Sequence, residues 1–130
     1  MTHFVDTNIV VYAFESGNKS ERALAALTGA TISVQVLNEF AAVCLRKLRY
    51  DRPMLDLLVS EIRAQVDSIV PVTEAIHDLA REIVFRYKLG LYDSVLISAA
   101  LLADCDTFYS EDMHDGLVIE GSLTIRNPFR

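Results

Sequence analysis

The sequence predicts an α/β fold, with a mainly parallel central sheet covered by helices on both faces. Three observations predict it. Short β-branched or aromatic runs alternate with longer stretches of helical spacing. Carboxylates stand just after several of the short runs, at the edge where open α/β sheets bind ligands. The 130 residues are 52% hydrophobic, enough in one domain to bury most of the apolar surface of the unfolded chain.

The first run, His3-Phe4-Val5, is too short for a helix and rich in strand-forming residues, so Asp6 falls at the carboxyl end of a buried strand, with Thr7 and Asn8 behind it. Ile9 to Phe14 continues apolar until Glu15-Ser16-Gly17-Asn18-Lys19 breaks it as a polar loop. Ser20 is placed to cap a helix through Leu27, which Gly29 ends. Thr31 to Val34 then reads as a strand. A helix from about Val36 to Arg49 has its apolar stripe at Leu37, Phe40, Ala41, Cys44, Leu45 and Leu48. Glu39 lies off that stripe, and its helical neighbours Val36 and Val43 offer it no cation. Its partner is therefore expected from elsewhere in the fold.

Asp51-Arg52-Pro53 turns the chain into the next helix, Pro53 fitting a first turn where its missing N–H is harmless. Met54, Leu57, Leu58 and Ile62 form that helix's stripe. Ser68 to Val72 is a strand at a sheet edge, where Pro71 is tolerated. Thr73 caps a helix to Lys88 that buries Ile76, Leu79, Ala80, Ile83, Val84 and Tyr87. Beyond Gly90, the stretch from Tyr92 to Ala103 is apolar on nearly every side and belongs in the interior, with Asp93 in its first turn. Thr107 to Ser110 is a strand, Glu111 to Gly116 an acidic loop at its carboxyl end, and Leu123-Thr124-Ile125 a last edge strand.

Eighteen acidic against twelve basic residues give a net charge of −6, which argues against holding nucleic acid by bulk electrostatics. A phosphate ligand would need metal ions or a local basic face. Four of the twelve cations, Arg46, Lys47, Arg49 and Arg52, cluster beside Tyr50 and are candidates to steer an RNA backbone, though a basic helix end also suits the helix dipole. Cys44 and Cys105 lack metal-site spacing and read as buried thiols. The start lacks the pattern of a signal peptide, and no uncharged apolar stretch is long enough to span a membrane. A soluble protein of a reducing compartment, the cytoplasm, is expected.

Asp6 and Asp112 would reach one place from strand ends, and Glu39 and Asp93 from helices packed over the same edge. Clustered carboxylates repel, and a hard divalent cation makes the cluster tolerable. Mg²⁺ or Mn²⁺ there would hold a phosphodiester, make water a nucleophile and stabilise the leaving oxygen. Each acid also has an ordinary role open to it: Asp6 and Asp93 as helix caps, Glu39 as a solvated helix residue, Asp112 and Asp115 as loop acids. Thr7 and Ser110 are placed to orient metal ligands, and Asn8 to do the same or to make a turn. His3 and His114 are possible metal ligands, although a lone histidine is more often structural, and His77, on a helix, reads as structural.

Four segments, FVDTNIVVYAF, VLNEFAAVCLRK, LYDSVLISAALLADC and YSEDMHDG, resemble in order the signatures of the PIN domain family. Within it the chain resembles the short bacterial VapC-type toxins of toxin–antitoxin modules. The resemblance implies a three-layer sandwich over residues 1–130 and Mg²⁺- or Mn²⁺-dependent endoribonuclease activity. It also implies a homodimer, and an antitoxin whose tail blocks the acidic groove. Carried over by position, Asp6, Glu39 and Asp93 match the principal metal-binding acids, with Asp112 the first choice for the fourth and Asp115 the other.

Haloacid-dehalogenase-like phosphatases need a second aspartate two residues after the first, where this chain has Asn8. Receiver domains place an acid pair at the first strand, where Val5 precedes a single Asp6. A non-catalytic PIN-like RNA-binding or scaffold module is the remaining alternative.

Overall fold

Phe4, Val5 and Ile32 are each fully buried, although successive strand residues point to opposite faces of a sheet. Helices therefore cover both sides. A computed structural model describes residues 2–130. The elements run β1 (His3–Val5), α1 (Thr7–Ala13), α2 (Ser20–Leu27), β2 (Thr31–Ser33), α3 (Val34–Arg46) and α4 (Arg52–Gln65). Then follow β3 (Ser68–Val70), α5 (Glu74–Tyr87), α6 (Leu91–Leu102), β4 (Thr107–Tyr109), β5 (Val118–Ile119) and β6 (Leu123–Arg126).

The strands form one sheet in the order β3-β2-β1-β4-β6-β5, parallel except for β5. The chain builds outward from β1 through β2 to β3, then returns to the other side of β1 as β4. This reversal opens a crevice between the carboxyl ends of β1 and β4, the place where such sheets bind ligands.

The expected α/β architecture is present, with several local corrections. The strand around Leu123-Thr124-Ile125 is not at the edge, because β5 pairs antiparallel outside it, Val118 opposite Thr124. A two-residue strand has too little pattern to read. The reversal is visible only in Gly121, whose φ of +69° lies in the left-handed region, beside Glu120 at +51°.

Helix α3 starts at Val34 and stops at Arg46, where Arg49 takes a left-handed φ of 56° and Tyr50 N–H donates to Cys44 O. Leu45, expected in its stripe, faces solvent. In α4 only Ile62 is fully buried, while Met54 and Leu57 are 41% and 55% exposed. Helical spacing ranks the faces of a helix but does not say whether a neighbour covers the apolar one. Ser20 begins α2 rather than capping it.

Thr73 does cap α5, accepting from the Ile76 N–H through Oγ1 at 3.2 Å. Thr73→Ala should cost about 1 kcal/mol, readable as a lower urea midpoint with an unchanged slope. Helix α6 is the interior helix that its composition predicts, buried continuously from Ser94 to Ala100. In the same core Phe4 and Phe108 stack at 5.3 Å. Cys44 and Cys105 are free and buried, and burial pushes both thiols up. Among the described residues no helix is long and apolar enough to cross a membrane.

Candidate functional site

Asp6 ends β1 and begins α1. Its N–H donates to Tyr109 O at 2.9 Å, tying β1 to β4, and its Oδ1 accepts from the Thr7 N–H at 2.7 Å as the cap of α1. Its Oδ2 accepts from Ser110 Oγ at 2.8 Å, and Ser110 Oγ accepts in turn from the Asp112 N–H at 3.2 Å. On the other side Thr7 Oγ1 donates to Glu39 Oε1 at 2.7 Å, while Gln35 Nε2 donates to Glu39 Oε2 at 3.1 Å. One run of bonds thus links Gln35, Glu39, Thr7, Asp6, Ser110 and Asp112 across the crevice.

Asp93 joins this group through charge. Burial, first, and then the charges of Asp93 and Glu39 push the Asp6 carboxyl up to about 7, against the pull of its bonds from Ser110 and Thr7. Asp93 is open to solvent on one side, yet partial desolvation and the charges of Glu39 and Asp112 raise its carboxyl too. Carboxylates after β1, on α3, on α6 and in the loop after β4 therefore lie near enough for the charges of Asp93 and Glu39 to act on Asp6, and those of Glu39 and Asp112 on Asp93. Capping is part of Asp6's role and not the whole of it.

The donor set, all anionic oxygen, suits a hard divalent ion. Among the described residues no three His, Cys, Asp or Glu side chains close around one point as they stand. Gathering an ion would therefore require side-chain rotation. Asp115 is engaged elsewhere, its Oδ1 accepting from the Asn127 N–H at 2.9 Å, which leaves Asp112 the acid facing Asp93.

Gln35 is the residue that sequence reasoning missed. No cation stands at helical spacing from Glu39, and the helical neighbour that binds it is a neutral donor four residues before. Also missed was the anchoring of the acidic loop. Glu111 accepts from Tyr12 Oη at 2.6 Å and pairs with Lys19, whose ammonium lies over the Tyr12 and Phe129 rings.

Of the basic residues, Arg46 and Lys47 line a cleft that reaches Glu39. Arg52 instead pairs with Asp56 on the exposed start of α4, and Arg49 sits exposed at the turn after α3. His3 is held against Ala26 O at 2.7 Å, and His77 and His114 are exposed.

A parallel α/β sheet carrying acids at the switch between its central strands defines a class of acidic-site domains. Residues 3–114 match the model of one of them, the PIN domain, and the chain belongs to that family. Its fold is similar to that of VapC proteins. A toxin–antitoxin complex from Klebsiella pneumoniae is 21% identical, with a TM-score of 0.71 and 98% of each chain covered. A VapBC2 structure from Rickettsia felis, bound to a DNA fragment from its promoter, is 19% identical at 0.71, also covering 98% of each chain. VapC20 of Mycobacterium tuberculosis, described as a toxin that cleaves the sarcin-ricin loop, is 17% identical at 0.67, covering 85% of this chain and 92% of that one. No curated protein matches the sequence.

Proposed function

We propose that this protein is an Mg²⁺- or Mn²⁺-dependent endoribonuclease, the toxin of a toxin–antitoxin pair. The observation that carries the reading is the run of hydrogen bonds joining Glu39, Thr7, Asp6, Ser110 and Asp112 across the switch point of the sheet, with Asp93 near enough for its charge to raise Asp6. Membership of the PIN family and the likeness to structures described as toxin–antitoxin complexes support it.

In this reading Asp6, Glu39, Asp93 and Asp112 would hold the ion. The chemistry a bound divalent ion supplies is polarisation of a phosphoryl oxygen and a water nucleophilic near neutral pH. Thr7 and Gln35 fix both oxygens of Glu39, and Ser110 fixes Asp6 Oδ2 while its own oxygen orders the backbone before Asp112. Arg46 and Lys47 draw the phosphate backbone toward a chain that is acidic overall. An antitoxin covering the acidic groove and a second copy forming a homodimer complete the proposal.

The test is cleavage of single-stranded RNA by purified protein with Mg²⁺ or Mn²⁺, abolished by EDTA and restored by added ion. RNA binding with no ion-stimulated cleavage across varied substrates would replace this reading with the scaffold module. Within it, Gln35→Ala should weaken Mn²⁺ binding by about tenfold in calorimetric titration, because an unheld Glu39 must be ordered as the ion binds.

A further inference from the structure

Beside the acids lies a cleft of about 330 Å³ between α1 and the end of α3. Thr7 and Asp112, both in the run of bonds through the acidic pocket, also line the cleft, so the two spaces share a wall. Val11, Val43 and Leu48 make the cleft partly apolar, and Tyr12, its hydroxyl committed to Glu111, adds a fixed ring. Two further features need explaining.

Both polar atoms of the Asn8 side chain are buried without a hydrogen-bond partner among the described residues. A buried amide in that state costs stability and is free to bond a ligand without breaking any bond of the fold. Lys47, also lining the cleft, is in no ion pair among the described residues, although Glu15 and Asp112 line the same space.

Proteins that read single-stranded RNA take an unstacked base between apolar and aromatic side chains and bond its edge, leaving the backbone to cations. The cleft offers these parts together. We infer that it seats the base of the nucleotide next to the bond that is cut, with Asn8 bonding the edge of the base and Lys47 holding the neighbouring phosphate. The carboxylate of Glu15 repels phosphate from the far part of the lining, which orients the nucleotide base inward. This inference rests on the nuclease reading above and deepens it to sequence selectivity.

The test is to digest an RNA pool of randomised sequence with Mn²⁺ and to sequence the product ends for wild type, Asn8→Leu, Asn8→Ala and Lys47→Ala. Asn8→Leu removes the amide at similar volume and leaves no buried polar atom unpaired, so it should fold. Wild type should prefer one base by about tenfold at a position adjoining the cut, and both Asn8 variants should flatten that preference to about threefold or less. Lys47→Ala should slow cleavage of all sequences alike, by about tenfold, and keep the preference. Val43→Phe, which narrows the cleft without touching Asn8, should flatten the preference as the Asn8 variants do. Cleavage by wild type with a base profile that neither the Asn8 variants nor Val43→Phe alter overturns the base seat and leaves the nuclease standing. No cleavage by wild type removes both.

Discussion

Asp6→Asn and Asp93→Asn are each expected to slow ion-dependent RNA cleavage by about a thousandfold, the rate equivalent of about 4 kcal/mol. An amide cannot supply the anionic oxygen that a hard cation needs. Asparagine at position 6 keeps an oxygen for the Thr7 N–H, so the cap of α1 survives and the variant folds. Alanine there would remove the cap and leave Ser110 Oγ without its acceptor, confusing lost folding with lost chemistry. Single-turnover cleavage of a labelled RNA, beside thermal melting of each variant, separates the two. Wild-type rates from both variants would falsify the assignment and point to a contaminating nuclease.

The second large effect concerns stability without ions. Burial and the neighbouring acids raise Asp6 from an ordinary 3.8 to about 7 in the folded protein. A raised carboxyl favours the folded state while it is protonated. Its contribution is complete below about pH 3.8, declines as pH rises, and is gone above about pH 7. The difference amounts to a few kcal/mol for a side chain this enclosed, and Asp93 adds in the same direction.

In EDTA, Asp6→Asn should therefore melt at nearly the wild-type temperature around pH 4 and well above it around pH 8. Mn²⁺ should raise the wild-type melting temperature strongly around pH 8, weakly around pH 4, and the variant's little at either. Parallel melting curves for wild type and variant across this pH range would show that Asp6 is not held as described.

Much of this was legible in the sequence because the strongest signals were local. The apolar composition of α6 placed it inside, and Thr73 announced the start of α5. The short strands before Asp6 and before the acidic loop were readable from residue type alone, and with them the edge where the acids meet. What failed to show depended on neighbours. Val118 and Ile119 favour a strand by type, but two residues are too few to mark one until β6 is there to pair with them. Met54 and Leu57 carry helical spacing but meet no covering element. Its place after Ser110 favours Asp112 over Asp115, but the bond that engages Asp115 comes from the backbone of Asn127, twelve residues on, and could not be read from the loop. Gln35 carries no charge to mark it as the partner of Glu39, because the fold uses a neutral donor there.

Helix α6 is buried without interruption from Ser94 to Ala100, and Asp93 stands just before that buried stretch, on the exposed first turn. Asp112, by contrast, rides on an exposed loop that a few side chains tether. The two ends of the pocket thus differ in how freely they can drift over generations. A change of residue in the middle of α6 shifts Asp93 only by rebuilding the interior, whereas the loop can be reshaped one substitution at a time. Diversification of such a pocket, toward a larger ion or another substrate shape, has an open route on the loop side and a closed one through the helix.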